Sequence, residues 1–132
     1  MKYFTISELC RSDVAARKKI KNEPTEEIEK NLEALVENVL DPLREAWGRP
    51  IHVNSGYRCA ELNKAVDGSP TSHHVRGMAA DITAGDTIAN IKLFNLVLKL
   101  GLPFTQLIDE RHYTWLHVSY DGENLKKQVL HL

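Results

Sequence analysis

Residues 69–81 read S-P-T-S-H-H-V-R-G-M-A-A-D, and the interpretation of the whole chain depends on this stretch. His73 and His74 are adjacent in a loop rich in Ser, Thr and Pro, and Asp81 follows them on a short apolar run. Two histidines in such a loop are usually polar surface residues. An imidazole and a carboxylate held close together can instead bind a divalent metal. The strands predicted elsewhere in the chain determine which side chains lie near these histidines, and so bear on the choice between polar surface residues and a metal site.

Alternation of apolar and polar residues predicts several short strands around this stretch. One runs from residue 51 to Gly56, and a second covers 78–83. Residues 104–110 and 114–120 form two further runs, separated by a connection that suits an antiparallel hairpin. The tail L-K-K-Q-V-L-H-L is typical of a final edge strand.

Helical periodicity is strongest before the first strand. The clearest helix runs from about Thr25 to Trp47, where apolar residues recur at helical spacing. Pro42 should kink this helix or split it after Leu40. A second long helix is predicted over residues 87–100. Helices followed by a small, mostly antiparallel sheet that packs on them define an α+β fold.

Composition limits the classes of protein to which the chain can belong. Its 132 residues predict one domain spanning 1–132, and its net charge of −1 offers no electrostatic field for gripping nucleic acid. The apolar stretches are too short for membrane insertion, and no signal peptide is recognised at the N-terminus, so synthesis in the cytoplasm is expected. We also expect a monomer. Cys10 and Cys59 are expected to be free thiols, although their spacing leaves a disulfide open.

The predicted strands gather polar side chains on one face of the sheet. Successive side chains of a strand point to opposite faces of the sheet. If the apolar residues point to the helices, the polar residues between them share the face that points away from the helices. They are His52, Asn54, Asp81, Trp115, His117 and Ser119. Two imidazoles and one carboxylate suit zinc and leave a fourth position for water, as in catalytic rather than structural zinc sites. Taken singly, however, each histidine also fits an ordinary surface position.

Three sequence blocks together resemble the zinc-dependent D-Ala-D-Ala carboxypeptidase family of peptidoglycan peptidases, which shares a superfamily with the hedgehog signalling domain. The first block is S-G-Y-R (55–58), followed by E-L-N-K-A-V (61–66). The second is S-H-H-V-R-G-M-A-A-D (72–81), which fits the family pattern S-x-H-x-x-G-x-A-x-D. The third is Q-L-I-D-E (106–110), followed by W-L-H-V-S (115–119). The likeness covers nearly the whole chain and is greatest to the family's compact phage and prophage branch.

The resemblance implies a role for individual residues. His74, Asp81 and His117 occupy the positions of the three zinc ligands, whereas His73 falls on a variable position of the motif. Arg58 corresponds to an arginine that binds a carboxylate or carbonyl of the substrate. Ser72 is expected to fix the loop or a ligand by hydrogen bonding, next to the substrate. Trp115 is expected to contact substrate.

The general base is the position at which the chain departs from the family pattern. Relatives place an acid three residues, or a histidine two residues, before the last zinc ligand, but Thr114 and Trp115 stand there. Glu110, on the opposing hairpin strand, is the carboxylate that the compact branch offers instead, and His112 is the reserve candidate.

The resemblance implies a zinc-dependent metallopeptidase that hydrolyses the peptide stems of bacterial peptidoglycan. It would act as a D-Ala-D-Ala carboxypeptidase or an endopeptidase. A phage or prophage endolysin that is released to the cell wall is consistent with this interpretation. The alternative from another class is a non-catalytic, zinc-containing module that binds cell-wall peptides, as hedgehog domains suggest. A third alternative is a structural phage component with a vestigial site.

Overall fold

The computed structural model describes residues 1–132 and has an α+β fold, as predicted. Six α-helices are present: α1 (Ile6–Cys10), α2 (Asp13–Lys18), α3 (Glu26–Leu35), α4 (Asp41–Trp47), α5 (Ala60–Ala65) and α6 (Thr87–Lys99). The five strands are β1 (His52–Ser55), β2 (Ala79–Thr83), β3 (Gln106–Glu110), β4 (Trp115–Ser119) and β5 (Gln128–His131). None of these helices combines the length and the apolarity needed to cross a membrane.

The five strands form one sheet in the order β1-β2-β4-β3-β5. Its pairs are antiparallel, apart from β3 with β5, which run parallel. The predicted hairpin is β3–β4, and its connection consists of residues 111–114. The tail forms the edge strand β5, as expected, and pairs beside β3 rather than extending the hairpin.

The helix predicted from Thr25 to Trp47 is continuous but changes its winding. Thr25 caps α3 by accepting a hydrogen bond from the backbone N–H of Ile28. A π-helical segment, Val36–Leu40, then leads directly into α4, in which Pro42 occupies the first turn. Proline has no backbone N–H to donate within an α-helical turn. The π-helical segment, which has more residues per turn than an α-helix, lies just before Pro42, where a kink or split was predicted.

The core lies between the helices and one face of the sheet. The buried strand residues alternate in sequence, as period two requires: Val53, Ala80, Ile82, Leu107, Leu116 and Val118. They pack against the apolar stripe of the long helix, whose fully buried members are Leu32, Leu35, Val36, Val39, Leu40 and Leu43. Because one face of the sheet packs on the helices, the other face points to solvent.

One buried amide joins helix α6 to one end of the sheet, where β2 ends and β4 begins. Asn90 is fully buried, and its Nδ2 donates to the carbonyl oxygens of Tyr113 and Thr114, in the β3–β4 connection. Its Oδ1 accepts the backbone N–H of Ala84, just after β2. The side chain therefore satisfies backbone groups that would otherwise lie in the interior without partners.

We expect Asn90→Leu to lower the free energy of unfolding by about 3 kcal/mol, because leucine leaves several buried backbone groups unpaired. Urea unfolding monitored by circular dichroism measures this loss. Asn95→Leu is the matched control, since Asn95 lies on the exposed side of the same helix and should change stability little. Equal stability of the two variants would contradict the bridging role of Asn90.

Cys10 and Cys59 are both free and half-buried. Burial, reinforced by the nearby carboxylate of Glu29, raises the pKa of the Cys10 thiol to about 11. A raised pKa keeps the thiol protonated at neutral pH, and the thiolate is the reactive form.

We expect iodoacetamide at pH 8 to modify Cys10 about a hundredfold more slowly in the folded protein than in the urea-unfolded chain. Peptide mapping by mass spectrometry follows this residue separately from Cys59. The rate should increase with pH through the range below 11, since the thiolate fraction grows as pH approaches the pKa. Equal rates in the folded and unfolded protein would show that the thiol is not shielded.

Candidate metal centre

The register of the central strands places two of the predicted ligands side by side. Asp81 on β2 lies directly opposite His117 on β4 in an antiparallel pair. Residues opposite each other in such a pair project from the same face of the sheet. His117 Nδ1 is 3.0 Å from Asp81 Oδ1.

The third predicted ligand reaches the sheet from the loop that was quoted first. His74 lies in a 3₁₀ turn, His73–Arg76, whose N-cap is Ser72. Its Nε2 is 3.2 Å from the same Oδ1 of Asp81, and the imidazole rings of His74 and His117 are 5.1 Å apart between centroids. The loop and the two central strands therefore converge on one carboxylate.

A backbone carbonyl fixes the orientation of His74. Its Nδ1 is 2.7 Å from the carbonyl oxygen of Gly56, and a carbonyl can only accept, so Nδ1 carries the proton. The other ring nitrogen, Nε2, points at Asp81 and is the nitrogen that offers a lone pair to a metal ion when the ring is neutral. A hydrogen bond of this kind behind a histidine is the usual support of a metal-binding imidazole.

Glycines at two positions make this arrangement sterically feasible. A Cβ at Gly56 would lie 2.2 Å from the backbone oxygen of Leu9, so no side chain fits there. Gly77 ends the 3₁₀ turn in the left-handed region, with φ +71°, and packs against Ile28 of helix α3. The glycine of the S-G-Y-R block and the glycine of the second block therefore support the same histidine.

The two histidines determine the ionisation of Asp81. Burial raises the pKa of this carboxyl, but hydrogen bonds from His117 and His74 outweigh it, so the pKa of Asp81 lies well below its ordinary value. Asp81 is therefore ionised at neutral pH. A carboxylate oxygen 3.2 Å from an unprotonated Nε2 would be repelled by it, unless a cation or a proton lies between them.

The three side chains fit a zinc ion by chemistry and by spacing. Their ligand atoms all lie within 4.8 Å of one another. Nitrogen and oxygen ligands in a tetrahedral zinc site stand roughly 3.3 Å apart, and the distances at Asp81 Oδ1 are 3.0 Å and 3.2 Å. Three protein ligands also leave a fourth position free, as in catalytic zinc sites.

The three side chains lie in an open, polar cleft of about 420 Å³. Glu110 and Trp115 form the next cross-strand pair on this face and both line the cleft. Burial raises the pKa of Glu110, although the nearby His117 opposes this. The carboxyl group predicted as the base is thus in the same cleft as the three ligands and is held closer to neutrality than an exposed glutamate.

Arg58 and Ser72 lie together on another wall of the cleft. Arg58 Nη2 is 3.4 Å from Ser72 Oγ, and the same Oγ accepts the backbone N–H of His74 at 3.1 Å. The Nε of Arg58 is buried and has no hydrogen-bond partner in the protein. Burial lowers the pKa of the guanidinium, while Asp81 opposes that shift, and the group remains a cation.

Three residues predicted to share the face with Asp81 do not line the cleft. A β-bulge between Val53 and Ser55 places Ser55, rather than Asn54, opposite Asp81, and Asn54 is exposed outside the cleft. His52 pairs with Thr83 and is exposed outside the cleft. Ser119 is fully buried, and its Oγ accepts the backbone N–H of Gln106.

The remaining histidines lie outside the ligand group. His73 lines the cleft wall, where burial first, and the neighbouring His117 and Arg76 next, lower its pKa. His112 is an exposed residue of the β3–β4 connection. His131 hydrogen-bonds to Asp109 on the opposite face of the sheet.

Sequence reasoning missed several parts of the cleft. Gln106 and Ile108 line it because β3 alternates in register with β4, which places Ile108 opposite His117. Ser69 and Thr71 line it from the loop before the 3₁₀ turn. Alternation along Q-L-I-D-E could have identified the β3 residues once Glu110 was assigned to this face.

A histidine–aspartate–histidine set in an open polar cleft, with a carboxyl group and a guanidinium nearby, defines a metallohydrolase type of site. The family model described as peptidase M15 matches residues 2–119, and the chain belongs to this family. The match runs from the N-terminus to the end of β4 and so includes all three ligand positions. Peptidases of this family are zinc-dependent hydrolases. No curated protein matches the chain.

We expect the purified protein to bind one zinc ion, and His74→Ala or Asp81→Ala to weaken this binding by more than about a hundredfold. Each substitution removes one of three ligand atoms. Competition with a chromogenic chelator measures the affinity. His52→Ala is the control, because His52 is exposed and outside the ligand group, and its zinc affinity should equal that of the wild type. Unchanged affinity in the Asp81 variant would refute the assignment.

Proposed function

We propose that the protein is a zinc-dependent metallopeptidase that hydrolyses the peptide stems of bacterial peptidoglycan. The observation that carries this proposal is the convergence of His74, Asp81 and His117 on one point of a cleft that also holds Glu110 and Arg58. Family membership supports peptide hydrolysis as the reaction class. The stem peptide as substrate, and a role as a phage or prophage endolysin acting at the cell wall, extend the resemblance of the three sequence blocks.

His74, Asp81 and His117 would hold the zinc ion. When bound, zinc acts as a Lewis acid and lowers the pKa of a water in its open position to about 7. The hydrogen bond from His74 Nδ1 to Gly56 keeps the imidazole in the tautomer that this requires. Ionised Asp81 partly neutralises the ion's charge.

Glu110 is the proposed general base. It accepts a proton from the attacking water and returns it to the leaving amine, so one carboxyl group serves both steps. Its raised pKa suits this exchange, because a base whose pKa lies nearer to the working pH both accepts and returns a proton readily. Its partner across the hairpin, Trp115, offers an apolar surface beside it for the substrate chain.

Arg58 is the proposed substrate anchor. Its guanidinium lines the cleft and is held by Ser72 through Nη2. Such a group binds a terminal carboxylate in a carboxypeptidase or a backbone carbonyl in an endopeptidase. The masses of the products released from a stem peptide distinguish the two reactions.

We expect Glu110→Gln to retain zinc and to lower turnover of a stem pentapeptide about 10²–10⁴-fold, because glutamine cannot accept the proton. Zinc content is measured by atomic absorption, and products by mass spectrometry. Glu123→Gln, which alters an exposed glutamate outside the cleft, should leave both quantities unchanged. Full turnover by Glu110→Gln would place the base elsewhere, and His112→Ala would then be tested in the same way.

The second candidate function is a zinc-containing module that binds cell-wall peptides without cleaving them. The observation that favours it is the absence of an acid or a histidine at the two positions before His117 that relatives use. Binding of the stem peptide by the zinc-loaded protein, with no change in peptide mass after prolonged incubation, would establish this module instead.

A further inference from the structure

The side chain of Asn22 connects the segment that carries Arg58 to the N-terminal part of the chain. Residues 56–59 lie between β1 and α5 and belong to neither a strand nor a helix. Backbone groups in such a segment need hydrogen-bond partners from elsewhere in the chain. Asn22, in the connection between α2 and α3, supplies two of these partners and also donates to the carbonyl oxygen of Cys10, at the end of α1.

The two contacts hold the peptide groups on both sides of Arg58. Asn22 Nδ2 donates to the carbonyl oxygen of Tyr57 at 2.8 Å, and this carbonyl belongs to the peptide group before Arg58. Asn22 Oδ1 accepts the backbone N–H of Cys59 at 2.7 Å, and this N–H belongs to the peptide group after Arg58. Because the two backbone dihedral angles of Arg58 rotate these planar peptide groups, one amide side chain restricts both rotations. The direction in which the arginine side chain leaves the backbone is fixed in the same way.

The remaining contacts of Arg58 all go to the loop that carries His74. The backbone N–H of Arg58 donates to the carbonyl oxygen of His74 at 3.1 Å, and its Nη2 is 3.4 Å from Ser72 Oγ. Both partners line the metal-binding cleft, whereas Asn22 does not. Asn22 therefore ties Arg58 to a part of the fold that is separate from the cleft wall.

We propose that Asn22 is a positioning residue, which holds Arg58 in the orientation that binds substrate. Asn22 lies outside the cleft and acts through the backbone on either side of Arg58. An asparagine suits this task because its planar amide presents a donor and an acceptor side by side. The inference rests on the function proposed above, in which Arg58 is the substrate anchor.

Steady-state kinetics of the zinc-loaded protein test the role in substrate binding, with the stem pentapeptide L-Ala-γ-D-Glu-L-Lys-D-Ala-D-Ala as the substrate. We expect Asn22→Ala to raise KM about tenfold and to leave kcat and zinc affinity unchanged, because a misdirected anchor weakens the bound substrate and the transition state alike. Asn38→Ala is the matched control. Asn38 is also half-buried, but its Nδ2 donates to the carbonyl oxygen of Ala34 in the same continuous helix, so KM should equal that of the wild type.

A double variant separates the positioning of Arg58 from a general loss of structure. Arg58→Ala removes the anchor and should by itself raise KM at least about tenfold. Adding Asn22→Ala to this variant should raise KM no further, because no guanidinium remains to be positioned. An equal rise in KM with and without Arg58 would overturn the proposal, since a merely structural effect does not depend on that side chain.

Proton exchange at the guanidinium gives a readout that does not depend on activity. The Nε of Arg58 is buried, so its N–H should exchange slowly with solvent in the zinc-loaded, ¹⁵N-labelled wild type, and Arg58→Lys assigns its signal. We expect this exchange to be at least about tenfold faster in Asn22→Ala and unchanged in Asn38→Ala. Asn22→Asp keeps the acceptor for the Cys59 N–H but loses both donated hydrogen bonds, and it replaces Asn22→Ala in every measurement if the alanine variant does not fold.

The combined results separate this inference from the proposed function. Hydrolysis by the wild type, with equal KM and equal Nε–H exchange in Asn22→Ala, overturns the positioning role and leaves the peptidase intact. Absence of hydrolysis by the wild type contradicts the peptidase, and the exchange rate then decides the role of Asn22. Faster exchange in Asn22→Ala supports the positioning role, and unchanged exchange overturns it.

Discussion

The position of Asp81 directly opposite His117 is the constraint on which the rest of the site depends. A shift of one residue in this pairing would turn every side chain of β2 or β4 to the other face of the sheet. The register is held by the opposite face, where Ala80 and Val118 form one buried pair and Ile82 and Leu116 another. Packing of the core therefore determines which polar side chains meet on the solvent side.

The loop that carries His74 depends on parts of the chain that are distant in sequence. The carbonyl of Gly56 orients the imidazole, the backbone of Arg58 donates to the carbonyl of His74, and helix α3 packs against Gly77. Each of these contacts restricts the loop from a different side. A ligand supplied by a loop can be as well positioned as one supplied by a strand when its backbone and ring are both held in this way.

Strand β3 provides two carboxylates with opposite tasks. Asp109 points away from the cleft, where it accepts the backbone N–H of Tyr113 and contacts His131, and so joins the hairpin to the edge strand. Glu110 points into the cleft and keeps its carboxyl group available for chemistry. Alternation along a single strand separates a carboxylate that stabilises the fold from one that is proposed to transfer protons.

The sequence by itself determined the α+β class, the hairpin and the bounds of the two long helices to within a turn, because periodicity is a local property of a chain. Its motif spacing also identified the candidate metal ligands. It also predicted that Asp109 and Glu110 face opposite ways. Only the tertiary structure decided that Ser55 replaces Asn54 beside Asp81, since a β-bulge changes the register without a clear local signal. The same is true of the Gly56 carbonyl behind His74, which arises from a contact between segments distant in sequence.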